Sequence, residues 1–330
     1  MSHTRIDVHC HTVPPAYRVA MARPGTAAFV RVPNWTPEAM LDVMDRHGIA
    51  AVLPSVSVPG THAGDDAAAR DLSRRCNTFM AECAARWPGR FGGFAVLPLP
   101  DIDGACAEIE HALDVLHLDG VGLFTSYGDR HLGHPSLDPV LEALNARGAA
   151  VFVHPAAHPS AHQVGLNLPP FAIEYAFDTT RAAVSLILSG AMDRFPRINF
   201  ILSHAGGTLP FLSWRVATLS ERLLTQPALA ETYSWPLLRG EYGPVTADAV
   251  MVRLRRFWFD IANAAGAQVI QSLDVVADPE RVLFGSDWPY VPDAVVGDTV
   301  RSLAAATEGR DDLRRRIERG NAEALFPRFR

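Results

Sequence analysis

His9 and His11 stand one residue apart in the apolar run Arg5-Ile6-Asp7-Val8-His9-Cys10-His11, so in a strand their imidazoles project from one face and Cys10 from the other. Two imidazoles side by side can grip one metal ion, although an isolated pair reads more readily as surface or hydrogen-bonded histidines. Three more apolar runs end in residues of the same kind: Val151-Phe152-Val153-His154, Phe200-Ile201-Leu202-Ser203-His204 and Val282-Leu283-Phe284-Gly285-Ser286-Asp287. Together these ends offer four neutral nitrogen donors and one anionic oxygen, a set suited to Zn²⁺ and acceptable to Mn²⁺. Residues so distant in sequence form one site only if the fold brings strand ends together.

The hydrophobic spacing predicts such a fold. Short β-branched runs fall at residues 6–11, 50–56, 93–97, 120–125, 149–154, 199–204, 257–261 and 281–286, with amphipathic segments at helical spacing between them. Thr36 reads as a helix N-cap with Pro37 in the first turn, and Leu72, Cys76, Phe79, Met80, Cys83 and Trp87 form one helical stripe. Gly48 and Gly148 stand where left-handed C-caps belong. Eight strand–helix repeats predict an α/β chain folded over residues 1–330 as a single (β/α)8 TIM barrel, whose strand C-termini meet at one mouth. Two segments break the repeat: residues 14–35, read as a flap after strand one, and 226–246, read as an excursion after strand six.

Composition narrows the partners. With 30 basic and 36 acidic residues the net charge is −6, which argues against nucleic acid or an anionic membrane and leaves small molecules. No apolar run approaches the ~20 residues that span a bilayer, and the first residues lack the basic-then-apolar layout of a signal peptide. Both point to the cytoplasm. Cys10, Cys76, Cys83 and Cys106 form no CxxC pair and read as buried thiols.

With its strand-end His and Asp residues, the Ser203-His204-Ala205-Gly206-Gly207 and Gly285-Ser286-Asp287-Trp288-Pro289 contexts, and a match running from Ile6 to Phe326, the chain resembles the amidohydrolase superfamily. Within it, the resemblance is to the decarboxylase branch that includes aminocarboxymuconate semialdehyde and hydroxybenzoate decarboxylases. It implies that His9, His11, His154 and Asp287 bind one divalent metal, Zn²⁺ by the HxH form with Mn²⁺ as the alternative. His204 and Asp287 are then the candidates for proton transfer. Binuclear relatives bridge two ions with a carboxylate or modified lysine at the end of strand four; here that strand ends Leu123-Phe124-Thr125-Ser126. The segment from His204 to Arg215 is similar to one whose final arginine reaches into a neighbouring subunit, which makes Arg215 the expected carboxylate anchor in a homodimer. The second anchoring arginine of the semialdehyde enzyme falls at Ala28, with Arg31 nearby, so a monocarboxylate is expected rather than a dicarboxylate. Phe29, Trp35, Phe171, Trp288 and Tyr290 are candidate walls for a flat ring, and His158 and Asn263 candidate pocket residues. Gly206 and Gly207 are expected to serve close backbone packing, not phosphate binding.

The activity so implied is nonoxidative decarboxylation of a small aromatic or unsaturated acid, an ortho-hydroxybenzoate foremost. A lactone or amide hydrolase, or a hydratase of an unsaturated acid, uses the same fold and ligands. A non-catalytic metal-stabilised binding protein is the remaining reading, against which the fifth donor, His204, counts: structural zinc sites are closed by four ligands.

Overall fold

The computed structural model describes residues 4–23, 31–156, 158–159, 168–226, 228–232 and 245–330. All eight predicted runs form strands: β1 (Arg5–His11), β2 (Ile49–Ser55), β3 (Phe94–Val96), β4 (Gly120–Phe124), β5 (Ala150–His154), β6 (Asn199–Leu202), β7 (Trp258–Asp260) and β8 (Val282–Leu283). Strands β3 to β8 make one parallel sheet in chain order, and β1 pairs in parallel with β2. Backbone hydrogen bonds join the pair to both edges of that sheet. Val52 N–H donates to Arg90 and Gly92 N–H to Val52 on the β3 side; Val8 N–H donates to Phe284 and Ser286 N–H to His9 on the β8 side. The order is that expected of a (β/α)8 barrel.

Helices between the strands start and stop where the residues dictate. Thr36 accepts the Ala39 N–H at 3.1 Å to cap helix Pro37–His47, and Asp65 and Asp101 cap the helices that follow β2 and β3 in the same way. Gly48 and Gly148 take the left-handed conformation at their helix ends. Cys10, Cys76 and Cys83 are buried in the layer between strands and helices, while Cys106 is half-buried. The flap contains helix Pro15–Met21, and the excursion contains helix Ala228–Thr232; residues 24–30 and 233–244 lie outside the described residues.

A separate apolar cluster fills the interior: Ile6 and Val8 with Leu53, Phe94, Phe152, Ile201 and Leu283, floored by Ala322, Phe326 and Phe329 from the C-terminal segment. Asn321 locks that floor by donating to the carbonyls of Pro279 and Val282. Phe326 is 4% exposed with its ring 5.9 Å from that of Phe94. Phe326→Ala should therefore destabilise the fold by about 3–5 kcal/mol, through lost transfer energy and the cavity left behind. Urea unfolding checks this, and a midpoint shift no larger than that of a surface substitution would remove the floor from the account.

Candidate metal centre

Strand alternation alone does not deliver the two histidines. Ile6 and Val8 both point into the interior cluster, so strict alternation would send Cys10 inward and His9 and His11 outward. Between Asp7 and Cys10, β1 carries one more residue than β2 does between Val52 and Pro54. This bulge reverses the parity, burying Cys10 under the helices and turning both imidazoles inward. Asp7 holds the bulge: its Oδ1 accepts the His9 N–H at 3.0 Å and the Ser286 N–H at 3.2 Å. Burial pushes the Asp7 carboxyl up to about 7, against the hydrogen bond from Ser286.

His9, His11, His154 and Asp287, all buried, each offer one ligand atom, and the four atoms lie within 4.8 Å of one another. His154 ends β5, and Asp287 follows β8 at φ +64. Gly285 makes room for this approach, because a Cβ there would come 2.7 Å from the Cβ of His9. His11 Nε2 is 3.0 Å from Asp287 Oδ1. The opposite nitrogen of each imidazole is already engaged: His9 Nδ1 with Asp260 at 2.9 Å, His11 Nδ1 with the Ser55 hydroxyl at 3.2 Å, and His154 Nδ1 with the Pro155 carbonyl at 2.9 Å. That carbonyl can only accept, so the His154 Nδ1 carries its proton and its Nε2 faces the cluster with a lone pair.

These residues fit a divalent metal. Among the described residues His9 Nε2 is buried with no hydrogen-bond partner; Asp287 Oδ1, at 3.4 Å, attracts it electrostatically without hydrogen-bond geometry. A buried polar atom left so is costly unless something occupies the point it faces. Burial lowers the His9 pKa, but the Asp260 and Asp287 carboxylates outweigh it and raise the group to about 10. Burial holds His11 below and His154 well below the usual histidine value, keeping both as neutral donors. For Asp287 burial works upward, yet the hydrogen bond with His11 and the facing imidazoles of His204 and His9 hold its carboxyl well below the ordinary range.

His204 stands off from the four. Its Nε2 lies 3.6 Å from Asp287 Oδ2, and its side chain is 15% exposed where those of His9 and His11 are sealed. Its φ is +53, as is unusual for a non-glycine residue, and its amide is held by Asp260 Oδ1 at 3.2 Å. Behind it, a Cβ at Gly207 would meet the Ala176 carbonyl oxygen at 2.0 Å, so this glycine serves close packing as expected.

Other expected pocket residues separate into two groups. Arg31 and Phe171 line a cavity beside the cluster. Asn263, also at positive φ, instead donates to Asp287 Oδ2 at 2.6 Å and orients that carboxylate. Trp288 is 8% exposed in the core, its carbonyl taking the His11 N–H, and so does not wall the cavity. Trp35 is likewise core, against Phe79, while Tyr290 packs edge-on to His11 at 5.1 Å. His158 stacks on His131 at 5.1 Å, beside the buried Asp178, and is not among the residues lining the cavity. Phe29 lies outside the described residues. Arg215 is on the exposed face of helix Leu209–Thr225. Asp260 was missed by the sequence reading; its signal was a carboxylate at the end of the apolar run of β7, the same pattern that marked His154.

Comparison with known proteins agrees with this geometry. The amidohydrolase family profile matches residues 6–328. The chain is similar to the 6-methylsalicylic acid decarboxylase of Penicillium expansum, 36% identical with 99% of this chain and 97% of the relative covered. It is also similar to the decarboxylase yanB of Aspergillus niger, 36% identical with 98% and 88% covered. A crystal structure of an amidohydrolase II superposes with a TM-score of 0.81 at 26% identity, covering 98% of this chain and 99% of the other.

Proposed function

The chain belongs to the amidohydrolase family, and from that premise we propose that it is a metal-dependent carboxy-lyase that releases CO₂ from a hydroxybenzoate, foremost a salicylate-type acid. The observation that carries this reading is the meeting of His9, His11, His154 and Asp287 at one buried point with His204 beside them. A divalent cation held by those four residues would supply Lewis acidity to the carboxylate and phenol oxygens. Three imidazoles and one carboxylate favour zinc, with manganese as the alternative. Proton transfer falls to the pair formed by His204 Nε2 and Asp287 Oδ2, which deliver a proton to the ring carbon that bears the carboxylate as its bond to CO₂ breaks. Asn263 fixes the second Asp287 oxygen in that position.

The test is CO₂ release from salicylate, 6-methylsalicylate and 2,6-dihydroxybenzoate, run beside a panel of lactones and amides. Turnover of the acids that stops on chelation and returns with zinc or manganese is expected. Hydrolysis of a lactone with no CO₂ from any acid would overturn the reading in favour of a hydrolase.

Arg215 we place across a homodimer interface. Phe211 is 88% and Trp214 69% exposed on the same helix, a pair of aromatics whose exposure is explained by a second subunit covering them. Arg215→Ala should raise KM by roughly 30-fold or more, as loss of a charge-paired anchor costs about 2 kcal/mol or above. Assayed well below the wild-type KM, where each variant alone is nearly silent, mixing equal amounts of Asp287→Asn and Arg215→Ala chains should restore about a quarter of wild-type activity, because in a two-fold dimer half the pairs are mixed and each has one complete site. No recovery would place Arg215 outside the partner's site. The four free cysteines accord with a reducing, cytoplasmic setting, and the family match over 6–328 supports one domain.

A further inference from the structure

A cavity of ≈ 510 Å³ adjoins the metal-type cluster and is larger than the chemistry above requires. Cavities of roughly 300–1,000 Å³ hold drug-sized ligands, well beyond one benzoate ring. Its walls are mainly carbon, from Val58, Leu97, Leu99, Phe124, Pro170 and Phe171. Three of the polar groups along it are already engaged with protein, while Arg31, Ser126 and Tyr175 also line it. The Thr61 hydroxyl pairs with Ser73 at 2.7 Å, His62 Nε2 with Asp66 at 2.8 Å, and the Tyr127 hydroxyl accepts the Phe124 N–H at 3.0 Å. A ligand entering this space therefore meets a mainly apolar surface, with Arg31 among the residues that line it.

The cavity and the site share two rings. Phe124 and Tyr175 both line it, and both pack against the ring of His154, at 6.4 Å and 6.2 Å between centroids. A ring seated at the cluster thus has an apolar chamber beside it. Resting on the decarboxylase reading, we propose that the substrate is an alkyl-substituted hydroxybenzoate whose chain, longer than a methyl group, occupies this cavity.

Binding of 3-alkylphenols, the products expected from 6-alkylsalicylates, tests the chamber without turnover. By calorimetry on the zinc-loaded protein, each added methylene should tighten the dissociation constant about three- to fourfold, so that 3-pentylphenol binds roughly 100-fold tighter than 3-methylphenol. The kcat/KM for 6-pentylsalicylate should exceed that for 6-methylsalicylate in the same sense. Pro170→Trp, which narrows the chamber, should bring the pentyl-to-methyl ratio towards one; a ratio measured within one preparation does not depend on how much of it is folded. Dissociation constants that stay flat or weaken from methyl to pentyl overturn the proposal. Tightening along the series with no CO₂ from any acid keeps the cavity assignment and sinks the decarboxylase reading alone; CO₂ from 6-methylsalicylate with a flat series does the reverse.

Discussion

Asp287→Asn is expected to abolish turnover, by at least about 10³-fold, while leaving the fold intact. The amide keeps the shape of the carboxylate but not its charge. At Asp287 that charge has three roles: Oδ1 faces His11 and His9, Oδ2 takes the Asn263 amide, and the same oxygen faces His204. Substitution removes the anionic member of the ligand set and the proton partner of His204 together, so metal content and catalysis fall together. Circular dichroism and a thermal melt check the fold, elemental analysis the metal, and CO₂ release the chemistry. Full activity in the variant would remove Asp287 from the mechanism. His204→Asn separates the two roles, because His204 lies outside the four-ligand cluster: metal content should stay and turnover should fall.

How much of this was legible in the sequence follows from physical range. The eight strands were readable because each is a short apolar run set between amphipathic segments, and the caps at Thr36 and Gly48 because their chemistry is local. The metal-type residues were readable because a polar residue closing an apolar strand is rare without a purpose. What escaped depended on partners far along the chain. The bulge in β1 exists only in its pairing with β2 and in the grip of Asp7 on Ser286, 279 residues away, and no period in residues 5–11 reports it. Trp288 was read as an aromatic ring wall and Asn263 as a pocket residue, yet the hydrogen bond from the Trp288 amide to Ser286 and the positive φ of Asn263, which aim these residues, form only in the folded state.

Asp260 is where a residue overlooked in sequence should show the second large effect. Its Oδ2 takes the His9 Nδ1–H at 2.9 Å, while Oδ1 holds the amides of His204 at 3.2 Å and Ala262 at 2.9 Å. One carboxylate therefore fixes the tautomer of a candidate ligand from β1 and the backbone of His204, the residue proposed for proton transfer, after β6. Its charge also raises the basicity of His9, and basicity at Nε2 is what a metal uses. Asp260→Asn retains an acceptor for the amides and loses the charge, so metal affinity should drop about 10- to 100-fold with the fold retained. Competition against a chromophoric chelator measures this, and kcat at saturating metal reports separately on His204. If affinity and kcat were both unchanged while only the melting temperature fell, Asp260 would be a packing residue. The expected split, weaker binding at nearly constant stability, follows from a buried carboxylate whose three contacts all lead to the site or its backbone.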